Sequence, residues 1–91
     1  MSDKSSAERL EQVAHALRAA AIERKMHITA DGRVSEADAA ELMDLSPPSL
    51  KGLRLSYCGP AHYYRGAGNS SRISYRFDDL AAWLESFRQT S

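Results

Sequence analysis

The chain carries one cysteine, Cys58. No internal disulfide can form, so packing alone must hold the fold, and a lone thiol fits a reducing compartment. No apolar run is long enough to cross a bilayer, and no N-terminal stretch reads as a signal peptide. A cytoplasmic protein with no membrane partner is the expectation. Net charge is also missing: twelve Lys and Arg stand against twelve Asp and Glu, so bulk charge names no partner. A local absence says more. From Leu45 to Phe77 there is no Asp or Glu, whereas Lys51, Arg54, Arg65, Arg72 and Arg76 all fall there, with His62 among them. Acids such as Glu8, Glu11, Glu36, Asp38, Glu41 and Asp44 dominate the chain before that run. Such polarity suggests one anion-facing surface.

The chemistry of catalysis is thin. Cys58 and His62 form a lone pair across Gly59-Pro60, and His15 and His27 lie elsewhere, so no metal-ligand spacing arises. Asp78-Asp79 has no partnered His or Lys, no Ser/His pair is arranged as a triad, and no glycine-rich phosphate loop precedes a helix. Neither an enzyme nor a cofactor is expected.

What is present is a pattern of helices. The chain has 91 residues, 43% of them hydrophobic, which suits one domain with a small core. Ser5 and Glu8 make a capping box, and Leu10, Val13, Ala14, Leu17 and Ala21 follow helical spacing, predicting a helix from about Ser6 to Lys25. Its stripe either covers the domain core or, through Leu10, Val13 and Leu17, pairs two copies. This divides the chain into an N-terminal helical element over 1–27 and the remainder, 28–91. Ile28 to Val34 reads as a short strand, an Asp31-Gly32 turn and a second strand, or as a plain loop.

Val34 to Arg54 reads as two short helices joined by a tight turn. Ser35 caps the first, with Asp38 three residues on, and Ala39, Leu42 and Met43 share its inner face. Ser46 caps the second, Pro47 takes its first position, Leu50 and Leu53 point inward, and Lys51 and Arg54 point outward. A second helix so placed is the pattern of a helix-turn-helix that enters a DNA major groove. Because Pro47 and Pro48 lack N–H groups, the Ser46 and Ser49 hydroxyls would have to meet phosphate there. Beyond Gly59-Pro60, residues 61–65 and 72–76 read as two strands around the linker Gly66–Ser71, a hairpin wing. Asp78 is placed as the cap of a last helix, with Trp83 and Phe87 anchoring the core.

The run from Val34 to Leu50, together with Gly59-Pro60, Tyr64-Arg65, Ser74-Tyr75-Arg76 and Asp79 to Leu84, resembles the excisionase and AlpA-type regulators. These are small winged helix-turn-helix proteins related to the DNA-binding domain of MerR regulators. The resemblance spans about Arg33 to Arg88. It implies that the second helix, with Ser49, Lys51 and Arg54, sits in the major groove, and that the wing, with Arg65, Arg72 and the Gly66–Ser71 tip, touches the phosphate backbone or minor groove. Gly52-Leu53 departs from the pattern, in which an aromatic and more basic residues stand there. The N-terminal helix is additional to the usual domain.

The expected fold is mainly α with a small β-hairpin wing (α+β), a winged helix-turn-helix with an added N-terminal helix. The candidate DNA-contacting set is Ser46, Ser49, Lys51 and Arg54 on the second helix, and Tyr64, Arg65, Ser70, Arg72 and Arg76 on the hairpin. The expected partner is double-stranded DNA, bound by a homodimer or by copies assembling cooperatively, with a recombinase or RNA polymerase as a further partner. The expected role is a transcriptional regulator or excisionase-like factor of a phage, plasmid or integrated element. The alternative is a protein-interaction module that uses the same scaffold without specific DNA binding.

Overall fold

The structure, a computed structural model, describes residues 2–65 and 72–89. Within them, α1 (Ser2–Glu23), β1 (Arg33–Ser35), α2 (Glu36–Leu42), α3 (Pro47–Leu55), β2 (Tyr63–Arg65), β3 (Arg72–Arg76) and α4 (Phe77–Glu85) follow in order. The protein is therefore α+β, with a three-stranded antiparallel sheet in the order β1-β3-β2.

The apolar stripe of α1 faces its own chain. Leu17 and Ala21 are buried in one core with Val34, Leu50, Tyr75, Leu80 and Ala81, and Val13 and Ala14 pack against it. Helix α1 lies along α4, where Arg9 Nε donates to Glu85 Oε1 at 3.1 Å. Within the single chain the stripe covers the core: Leu17 is buried, Val13 packs against it, and Leu10 stays on the rim. Helix α1 also starts before Ser5, which therefore lies inside it rather than capping it.

Three helices stop in the same way without glycine. After α1, Lys25 takes φ +59° and the Met26 N–H donates to the Ala21 carbonyl at 2.9 Å. After α2, Asp44 takes φ +62° and Leu45 donates to Ala40 at 2.8 Å. After α3, Tyr57 takes φ +61° and Cys58 donates to Leu53 at 2.9 Å. Each is a Schellman-type end, whose left-handed residue is ordinarily Gly.

The 28–34 hairpin forms only in part. Thr29 donates to the Arg33 carbonyl at 2.9 Å around a turn with Gly32 at φ +82°. Ile28 and Thr29 are not a strand, however, and β1 pairs with β3 instead, Val34 opposite Tyr75. Both of these side chains are buried, so one sheet face packs on the core.

Both predicted caps of the central helices are present: Ser35 Oγ accepts from the Asp38 N–H at 3.2 Å, and Ser46 Oγ from the Ser49 N–H at 3.2 Å. Ala39 and Ala40 of α2 are fully buried, small enough for close approach of its neighbours. The last helix begins one residue before the expected cap. Arg76 holds the N-cap position without a side-chain bond, and Asp78 and Asp79 lie in the first turn, where negative charge suits the helix dipole. Trp83 is half-buried, and its Nε1 donates to the Cys58 carbonyl at 2.9 Å. Phe87 falls beyond α4 and is exposed, so it edges onto the Trp83 ring (4.7 Å between centroids) rather than anchoring the core.

Candidate nucleic-acid interface

Helix α3 stands on α2 across residues 43–46, where half-buried Leu45 fills the corner. Leu50 is its fully buried contact and Leu53 is half-buried. The start of the helix brings Ser46 and Ser49 together, with the Ser46 hydroxyl donating to Ser49 Oγ at 2.7 Å. On the outer side Pro48, Lys51, Gly52 and Leu55 are all exposed. A Cβ added at Gly52 would meet nothing within 4 Å. Of the two cations in α3, Lys51 is the exposed one.

Arg54 does not point outward as the sequence pattern suggests. Its Nε donates to Glu36 Oε2 at 2.7 Å and its Nη2 to Glu36 Oε1 at 3.1 Å, a two-toothed pair. The Tyr75 hydroxyl donates to the same Glu36 Oε2 at 2.8 Å. Both charged side chains are largely covered, 17% and 18% exposed. Burial pushes the Glu36 carboxyl up, but the hydrogen bonds from Arg54 and Tyr75 outweigh it and hold the group below its ordinary 4.5. Burial and the bond donated to Glu36 push the Tyr75 hydroxyl well up. The pairing with Glu36 raises Arg54 in turn. This triad ties the first turn of α2, the last turn of α3 and the end of β3 together. Arg54 is thus a positioning residue for α3. The pairing has no local signature, because its members lie 18 and 39 residues apart.

A second group of cations sits on the outer face of the sheet. Along β3, Arg72, Ser74 and Arg76 alternate with core-facing Ile73 and Tyr75. Arg33 of β1, absent from the sequence-based set, joins them. Its Nη1 donates to Ser74 Oγ at 3.0 Å, and its guanidinium lies 4.9 Å from the Tyr63 ring centroid. Asp31 pairs with Arg33 at 3.0 Å. Bonds from Thr29 and then Arg33 hold the Asp31 carboxyl below its ordinary value. Arg76 comes within 4.0 Å of Asp78. Arg65 is the register partner of Arg72, and Tyr64, opposite Ile73, is exposed. Ser70 and the wing tip, 66–71, lie outside the described residues.

Among the described residues the candidates do not form one cluster. Ser46, Ser49 and Lys51 mark the start and outer side of α3. Arg72 and Arg76 leave β3 on the face opposite Tyr75, whose side Arg54 approaches. Among the described residues no group of three or more His, Cys, Asp or Glu is placed to hold a metal ion, and no helix is long and apolar enough to cross a membrane. No protein-family model matches the chain, and neither a curated protein nor a solved structure does.

Proposed function

We propose that the protein binds double-stranded DNA, with α3 in the major groove and the arginines of the outer sheet face on the flanking phosphates. The observation that carries this reading is the outer side of α3: acid-free, with Lys51 exposed and no side chain at Gly52, on a helix held at both ends by Ser46 and by the Glu36–Arg54 pair. Nine residues make a helix about 13 Å long, a length the major groove accepts. Arg72 and Arg76 supply charge for phosphate contacts, which position a protein without reading sequence, whereas Arg33 is engaged by Asp31 and Ser74. The role follows the resemblance: a small transcriptional regulator or an excisionase-like factor. With Leu17 and Val13 occupied in the core, affinity beyond one short half-site comes from copies bound side by side.

The test is fluorescence anisotropy on labelled duplex across a salt series. Binding weakens steeply with salt, and Lys51→Ala lowers the log–log slope by about one. Duplex affinity that is absent, or indifferent to salt, overturns the reading. A protein-interaction module is the second reading, favoured by the exposure of Leu55 (61%) and Tyr57 (95%). Heparin separates the two: a DNA binder is retained and elutes with salt, whereas a module that binds protein runs through.

A further inference from the structure

We propose that α3 reads thymine methyl groups rather than guanine edges, so that the bound duplex is centred on A·T pairs. The inference rests on the DNA-binding reading and names its substrate. Recognition of guanine in the major groove ordinarily uses a bidentate Arg or Lys on O6 and N7. The one guanidinium on α3 belongs to Arg54, and Glu36 already engages both of its teeth at 2.7 and 3.1 Å, with Tyr75 bound to the same carboxylate. Releasing Arg54 would strand a largely covered carboxylate, which the fold resists. The other polar groups at the helix start are turned inward on themselves. Ser46 Oγ caps the Ser49 N–H and donates to Ser49 Oγ, and two prolines remove N–H donors.

What remains on the outer side is largely apolar. Leu55 is 61% exposed one turn beyond Lys51, and Gly52 lies between them with open space where a Cβ would be. Most of that leucine faces water. Against a major-groove floor it meets the C5-methyl of thymine, the only apolar group any base presents there. Gly52 lets the backbone come close enough for that contact. Lys51, one turn back, is a single ammonium on a flexible stem, without the rigid fork of a guanidinium, and is assigned to the phosphate at the groove edge. The duplex is the occupant committed to, because the whole stretch from Leu45 to Phe77 lacks acid while its charged residues are all cations.

The experiment starts with selection of bound duplexes from a randomised pool by the full chain. Each thymine of the selected site is then replaced by deoxyuridine, which removes one methyl and keeps the base pairing. The expected site is centred on A·T pairs, with at least one thymine whose replacement weakens binding about fourfold. Leu55→Ala abolishes the difference between thymine and deoxyuridine at that position. Gly52→Ala weakens binding while raising the thermal midpoint, a combination that a purely structural glycine would not give. Thermal midpoints of both variants establish that they fold. A site centred on guanine, or binding indifferent to deoxyuridine throughout, overturns this inference and leaves DNA binding standing. No selectable duplex at all overturns both.

Discussion

Where α1 meets α4, the join is apolar: Leu17 and Ala21 share a core with Leu80 and Ala81, and the Arg9–Glu85 pair only decorates its edge. Where α2, α3 and β3 meet, Leu50 and the two alanines of α2 are supplemented by the Glu36–Arg54–Tyr75 triad. The two joins differ in what they specify. Apolar burial is non-directional and indifferent to pH, so it fixes that the helices pack without finely fixing their angle. A two-toothed ion pair with a shared hydroxyl fixes orientation and depends on one carboxyl remaining ionised. The platform of the molecule is thus held by area, and the helix proposed to meet DNA is aimed by geometry.

The largest effect expected from breaking this contrast is on the apolar side. Leu80 is fully buried, and Leu80→Ala lowers stability by about 2–5 kcal/mol in denaturant titration. Glu36→Ala comes next, at about 2 kcal/mol, because it leaves the Arg54 guanidinium covered and unpaired. Its binding loss in anisotropy exceeds that of Leu80→Ala once both are compared under conditions where each is folded. Equal binding losses would erase the distinction between the two joins. Tyr75→Phe keeps the ring and removes one bond, a loss of about 1 kcal/mol.

Acid sharpens the comparison. The Glu36 carboxyl titrates lower in the folded chain than its ordinary 4.5, so its contribution is complete above that pH and is lost as pH falls through the folded value. Urea midpoints therefore fall on acidification in the native chain and fall less in Glu36→Gln. Asp31, shifted the same way, supplies part of what remains. At the alkaline end the sign reverses: the raised Tyr75 hydroxyl favours the fold below 10.0, and that contribution is lost as pH climbs beyond it, a loss absent from Tyr75→Phe. The smallest effect is at a helix end. Tyr57→Gly relieves a left-handed residue with an exposed ring and raises stability by about 1 kcal/mol, read as a higher thermal midpoint.

The pieces legible in the sequence are those whose cause is local. Ser35 and Ser46 are caps because their hydroxyls meet an N–H three residues on, and the α1 stripe is visible because helical spacing needs no partner to reveal it. Helix ends carry a weaker signal, since Lys25, Asp44 and Tyr57 occupy positions that glycine usually marks. The start of α4 is not legible locally: Asp78 has the chemistry of a cap, while Arg76, which holds the position, makes no side-chain bond there. Whether the α1 stripe faced its own chain depended on Leu80 and Ala81, more than fifty residues on. The site suffered most. Arg54 has the spacing of an exposed helix residue, and only Glu36 and Tyr75, brought close by the fold, turn it inward. Arg33 lies before the acid-free run, so composition hid a cation that the β1–β3 pairing places beside Ser74.

The bond between the Trp83 indole and the Cys58 carbonyl has a practical side. It sets the chain's sole tryptophan beside its sole cysteine, whose thiol is exposed. One maleimide dye can therefore be attached at a single defined spot, where the indole acts as built-in donor or quencher, and separation of α4 from the segment after α3 becomes visible as a change in light. The same thiol, left unprotected in air, lets two molecules crosslink through a bond that has nothing to do with their biology.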